Sequence, residues 1–258
     1  MSGAPSDRER LMQVAQVLAK AASAASGDGR PRRLPVVQSS DAAGLVAMMH
    51  EQLDLAIARR DSDIASAGIS LACGRGCNAC CALPVMIGDH EALAVARWLS
   101  QPEHAAVREQ FLAAYERWRA ALGGAIEAVV DAPDKAAREQ ACAAYFSHRA
   151  MCPFNHEGLC SIYEVRPALC RTTHAINGNE RCQDESSAVQ TVSHPAVEGV
   201  YEGQEAMRTA LHASLRPGRT HELLPKAVMR RLTRASAFPN RPCPCGSGKK
   251  QKACCGLD

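Results

Sequence analysis

Apolar residues recur at helical spacing over most of the chain. From Asp41 as N-cap, the positions Leu45, Met48, Met49, Leu53, Ile57 and Ile64 predict a helix that runs to about Ala67. A second helix is expected from Asp89, with Leu93, Ala96 and Leu99 facing inward. Ser100-Gln-Pro-Glu103 has the capping-box pattern with proline in the first turn. It opens a third helix whose stripe is Val107, Phe111, Tyr115, Trp118 and Leu122, and Gly123-Gly124 ends it. A further helix from near Pro133 carries Cys142, Tyr145 and Phe146, with Cys142 read as a buried structural thiol. Val197, Val200, Met207, Leu211 and Leu215 predict one long helix ending at Pro217-Gly218, and Leu224-Pro225 opens a shorter one to about Arg234. Near the start, Leu11, Val14, Ala15 and Leu18 share one face of a short helix, with nothing to show what it docks on. The Gly27, Gly29, Pro31 and Pro35 stretch reads as a linker, and Ala82 to Ile87 as a short strand or extended buried segment. The expected fold is mostly α. A helical body at 41–235 surrounds a Cys-rich metal site, preceded by a helix and linker at 1–40 and followed by a tether and small zinc-binding module at 236–258.

Composition narrows the function classes. A chain of 258 residues can bury a good-sized core, so it does not need metal merely to fold. Leu11 to Ala22 is interrupted by Gln13, Gln16 and Lys20, so no secretory leader is expected. No run of about eighteen apolar residues follows, so no membrane span is expected either. The reducing cytoplasm is the expected compartment, where clustered cysteines bind metal more often than they pair. A net charge of +3 and aromatics at 4% argue against a nucleic-acid surface. No glycine-rich phosphate loop and no metalloprotease helix is found.

The chemistry is carried by cysteine. There are thirteen, and all but Cys142 fall into three groups. The first is Cys73, Cys77, Cys80 and Cys81; the second is Cys152, Cys160, Cys170 and Cys182; the third is Cys243, Cys245, Cys254 and Cys255. Gly74 and Gly76 allow a tight backbone wrap in the first group. Pro167 is expected to open a helix whose dipole favours a Cys170 thiolate. Arg75, Arg166, Arg171 and Arg181 lie beside cysteines and could offset thiolate charge. His156 and His174 are possible substitute ligands. Eight body thiols could hold two four-coordinate zinc ions, or an iron–sulfur cubane plus a second site, and spacing leaves both open.

The last sixteen residues carry Cys243-Pro-Cys245-Gly-Ser-Gly-Lys-Lys-Gln-Lys-Ala-Cys254-Cys255. Four thiolates on a turn-rich piece without a core can close a tetrahedral zinc site that supplies the folding energy. This segment resembles the SEC-C motif known from the tail of the SecA translocation ATPase. The resemblance implies zinc at Cys243, Cys245, Cys254 and Cys255, with Lys249, Lys250 and Lys252 available to an acidic protein partner such as a chaperone or the ribosome.

The body carries Gly76-Cys77-Asn-Ala-Cys80-Cys81, then Glu91, then Cys152-Pro-Phe154 and Gly158-Leu-Cys160-Ser-Ile-Tyr-Glu-Val-Arg-Pro-Ala-Leu-Cys170-Arg171. On these residues it resembles the YkgJ-type cysteine-cluster family, described as zinc- or iron-chelating and similar to part of the flagellin lysine N-methylase. The resemblance implies metal ligation by Cys73, Cys77, Cys80, Cys81, Cys152, Cys160, Cys170 and Cys182. The expected function is metal binding in a structural, redox or accessory role; the alternative is an enzyme that modifies protein side chains. Cys73, Cys77 and Cys80 also match the spacing of a radical S-adenosylmethionine cluster, but those enzymes share a barrel of repeated strand–helix units, and strand signals here are few.

Overall fold

The computed structural model describes residues 6–25, 37, 39–176, 182, 191–215, 221–237, 240 and 250. In chain order they form α1 (Asp7–Ala25), α2 (Ser39–Ser66), β1 (Met86–Ile87), α3 (Asp89–Leu99), α4 (Ala105–Leu122), α5 (Ala125–Val130) and α6 (Lys135–Ser147). There follow β2 (Asn155–His156), β3 (Leu159–Cys160), α7 (Ala168–Thr172), α8 (Pro195–Gly203), α9 (Glu205–Leu215), β4 (Glu222–Leu223) and α10 (Leu224–Ala237). The fold is mostly helical, as the periodicity predicts. The described strands pair only as β1 with β4 and β2 with β3, both antiparallel, which is unlike a barrel of repeated strand–helix units. No helix among the described residues is long and apolar enough to cross a membrane.

Two apolar clusters hold the helices together. The larger joins Val95, Ala96 and Leu99 of α3 to Phe111, Tyr115, Trp118 and Leu122 of α4, and reaches Leu224 and Val228 of α10. Within it the Phe111 and Phe154 rings stack at 4.2 Å, and Trp118 Nε1 donates to Tyr145 Oη at 3.1 Å. Phe154 lies two residues after Cys152, so its burial, stabilising by about 1.5–3 kcal/mol, anchors the second cysteine segment to α4. The smaller cluster packs Leu18 of α1 against Leu45 and Met49 of α2, Leu93 of α3 and Leu211 of α9. The α1 helix is therefore docked, which its own sequence does not reveal.

The α3 helix is central because it enters both clusters and is tied at its start. The Asp89 carboxylate accepts from Arg230 Nη2 at 3.0 Å, from Arg231 Nε at 3.0 Å and from Arg231 Nη2. Burial would raise the Asp89 pKa, but the two guanidiniums outweigh it and hold the carboxyl below its ordinary value. Leu224 N donates to the Val85 carbonyl at 2.8 Å, so β4 and α10 close over the segment that follows the first cysteine group.

Several local expectations are corrected by tertiary contacts. The α2 helix starts at Ser39, so Asp41 lies in its first turn, where it pairs with Arg10 Nη1 at 2.8 Å instead of capping. Ser100 does not form the capping box; its hydroxyl turns back to the Ala96 carbonyl at 2.7 Å, and Pro102–His104 makes a short 3-10 turn before α4. The predicted long helix over 197–215 is two helices, broken at Gln204, whose side chain donates to the Met49 carbonyl at 3.1 Å. Cys142 is half-buried against the larger cluster, and burial raises its pKa.

Candidate metal centre

The two body cysteine groups meet through backbone bonds. After α2, Cys77 N donates to the Gly74 carbonyl at 3.0 Å across a turn in which Gly76 takes φ +87°, a conformation that favours glycine. A 3-10 turn, Ala79–Ala82, then carries Cys80 and Cys81. Cys152 N donates to the Cys81 carbonyl at 2.7 Å, which fastens the second segment to the first. The β2–β3 hairpin places Asn155 opposite Cys160, and Gly158 at its tip, with φ +82°, faces the Asn78 side chain. Cys170 is the third residue of α7. Farther along, Ala72 N donates to the Ala175 carbonyl at 2.8 Å, and Ala175 N to Cys73 Sγ at 3.1 Å.

These bonds gather thiols that are distant in sequence. Cys152 is in electrostatic contact with Cys81, Cys160 and Cys170. Cys80 lies within electrostatic range of Cys81, Cys170 and Cys77, and Cys73 within that of Cys77. Cys182 is half-buried. Cys243, Cys245, Cys254 and Cys255 lie outside the described residues, as does Arg181.

Burial controls the thiol chemistry. It raises Cys152 well above the usual thiol pKa, pushes Cys170 up to about 12, and raises Cys160 and Cys73. The expected dipole stabilisation of a Cys170 thiolate therefore loses to desolvation by burial, because the helix has only five residues. Cys81 shifts the other way, lowered to about 6 chiefly by the neighbouring Cys80 thiol and against its burial. Half-buried thiols of this kind suit a soft cation, whose charge takes the place of their protons. Among the described residues no three His, Cys, Asp or Glu side chains stand close enough together to hold a metal ion. The donor chemistry fits zinc or an iron centre.

A shell of buried ionic ties holds this arrangement to α2 and α3. Glu91 Oε1 accepts from Ala168 N at 2.8 Å, capping the helix that carries Cys170, and lies 3.7 Å from His50 Nε2. Arg171 Nη1 donates to both Asp54 oxygens at 2.8 and 2.7 Å, Nε to the Arg166 carbonyl at 2.8 Å, and Nη2 to the Glu164 carbonyl. Arg60, fully buried, donates to the Thr172 carbonyl at 3.3 Å and to Asp61 at 2.9 and 2.7 Å. His50, Asp54 and Arg60 carry no signal of this role in the sequence, where they read as the polar face of α2. Arg75 is exposed, and Arg166 lies over the Tyr163 ring at 4.0 Å. His156 is exposed on β2.

Burial alone would raise the Glu91 pKa, but the His50 hydrogen bond, His90 and the Ala168 amide bring it down to about 2. A carboxyl whose folded pKa lies below its unfolded value stabilises the fold above the unfolded pKa. That contribution, of about 3 kcal/mol from the size of the shift, is lost as pH falls from about 5 towards about 2. Glu91→Gln is expected to lower the unfolding free energy by about 2–3 kcal/mol at neutral pH and to flatten this acid limb, as read by urea denaturation across pH. An unchanged acid limb would show that Glu91 is not the group responsible.

No curated protein and no solved structure matches this chain. Residues 72–192, the stretch that runs from the Ala72–Ala175 bond through both cysteine segments, match the family model CxxCxxCC, described as a "Putative zinc- or iron-chelating domain", and this supports a metal-binding role for that part of the chain.

Proposed function

We propose that the body of this protein chelates zinc or an iron centre through its clustered cysteines and serves in a structural, redox or accessory role in the reducing cytoplasm. The observation that carries this reading is the convergence of Cys81, Cys152, Cys160 and Cys170, from four separate local elements, with no disulfide among the described cysteines. A bound zinc would cross-link the loops, whereas an iron–sulfur cluster would add electron transfer. The chain's own residues supply the ligands, the dry surroundings and the cationic balance, with Arg171 in electrostatic contact with Cys160 and Arg60 with Cys73. The test is metal and acid-labile sulfide content of the anaerobically purified full chain against Cys81→Ser/Cys152→Ser. The unaltered chain is expected to keep zinc or iron that the variant loses; equal metal in both overturns the reading. Iron with sulfide and charge-transfer colour assigns a cluster, and colourless zinc assigns a structural ion.

The proposal extends to the tail. Cys243, Cys245, Cys254 and Cys255 hold zinc and present Lys249, Lys250 and Lys252 to an acidic protein partner such as a chaperone or the ribosome, so that the module acts as an adaptor. The spacing of the motif and the absence of a core in so short a segment support this. Cys243→Ser/Cys245→Ser is expected to lower zinc by about one equivalent per chain.

A further inference from the structure

One face of α2 and one face of α3 leave a cleft between them. On α2 the lining positions 43, 46, 47, 50, 51, 54 and 55 recur at three and four residues, and 94, 97, 98 and 101 do the same along α3 and just past its end, so each set is one stripe of a helix. Together with the turn at Glu164 and Val165 they border a space of about 590 Å³. Its depth comes from small side chains, because Ala43, Ala47 and Ala94 stand where larger ones would close the gap. No lining residue is a cysteine, so the cleft is separate from the candidate metal centre.

The walls divide by chemistry. Val46, Leu55, Val165 and Trp98 supply apolar surface, and Trp98 is held in place by the His104 ring stacked on it at 3.5 Å. The charges that face water are carboxylates: Glu51, Asp54 and Glu164 are exposed, whereas Arg97 is half-buried and Arg171 is buried. The Arg171 guanidinium is turned to Asp54 and to the Glu164 and Arg166 carbonyls, and Asp54 still exposes 53% of its side chain. Glu51 pairs with Arg8 Nη1 at 3.1 Å, but both side chains are half-exposed or more, and so wet a pair is weak enough to exchange. An anion entering the cleft meets three carboxylates. A cation is attracted by the same three and finds an aromatic ring beside them.

We propose that this cleft binds a small organic cation, an ammonium or guanidinium carried on an apolar body, with the charge among Glu51, Asp54 and Glu164 and the body against Val46, Leu55 and Trp98. The size of the cleft lies within the range of small-molecule sites, about 300–1,000 Å³, and its few convergent charges on apolar walls have the composition of such sites. Metal chelation is not needed for this binding, so the two readings stand or fall separately.

The test is titration of the full chain with octylammonium, octanol and octanoate, three probes that share a tail and differ in charge, read by tryptophan fluorescence and calorimetry. Octylammonium is expected to bind at least about tenfold more tightly than octanoate, with octanol between them, and to lose affinity as salt is raised. Glu51→Gln/Glu164→Gln is expected to weaken octylammonium by about 3–10-fold and to leave octanol unchanged. Ala47→Leu fills the cleft from an exposed helix position that tolerates leucine, and it is expected to abolish binding of all three probes. Equal affinity for the three probes, a preference for octanoate, or unaltered octylammonium binding in Ala47→Leu would each overturn the proposal. Binding of a peptide of alternating leucine and lysine, without binding of octylammonium, would assign the cleft to a protein partner and overturn it as well.

Discussion

Arg171→Met is expected to lower the unfolding free energy by about 3–5 kcal/mol, the range for removing one partner of a buried ionic network. The side chain is only 5% exposed and makes four hydrogen bonds to three separate acceptors. Asp54 is half-exposed and can rehydrate, so most of the loss falls on the Glu164 and Arg166 carbonyls left without a donor. Those carbonyls flank the turn between β3 and α7, and their release frees Cys170 relative to Cys160. Metal retention should therefore fall together with stability. Arg171→Lys should recover little of either, because one ammonium cannot reach a carboxylate and two carbonyls arranged around a planar fork. Urea denaturation and chelator competition on the same samples check this; an Arg171→Met chain with unaltered stability would show that the network is not supporting the α7 segment.

Acid is expected to strip metal from the body cysteines steeply. Burial raises Cys152, Cys160 and Cys170, so in the metal-free chain these thiols are protonated at neutral pH, and each releases a proton when it becomes a ligand. Cys81, lowered by the Cys80 thiol, contributes less to the proton count. With about three protons released, the apparent affinity falls by about a thousandfold for each pH unit lost. The direction is that of the Glu91 acid limb, since bound metal competes with protons and gains as pH rises. Chelator competition over about pH 6 to 8 measures the slope. A slope near zero would show that buried thiols are not the ligands.

How much was legible beforehand differs between the helices and the site. The stripes of α2, α3 and α4 are local facts, because a 3.6-residue period of apolar side chains must face a core whatever that core contains. The break between α8 and α9 was not legible, since Val200, Met207 and Leu211 continue the period across Gln204, and only the Met49 carbonyl on a neighbouring helix decides the interruption. Ser100 shows the same limit, because its hydroxyl can cap the next helix or bond back to Ala96, and in the fold it takes the Ala96 carbonyl.

By itself the sequence determined that the chain is mostly helical, that its chemistry is that of clustered thiols, and where the glycine turns and the proline before Cys170 must fall. Those depend on residue type and short spacing. Only the tertiary structure decided which cysteine segments meet, that Arg60 and Arg171 are buried supports and not a solvated face, and that desolvation overrides the helix dipole at Cys170. The reason is physical. A charged residue has the same sequence signature whether it meets water or a carbonyl from a segment more than a hundred residues away, as Arg60 meets Thr172, and a thiol's proton depends on the dielectric that distant segments build around it.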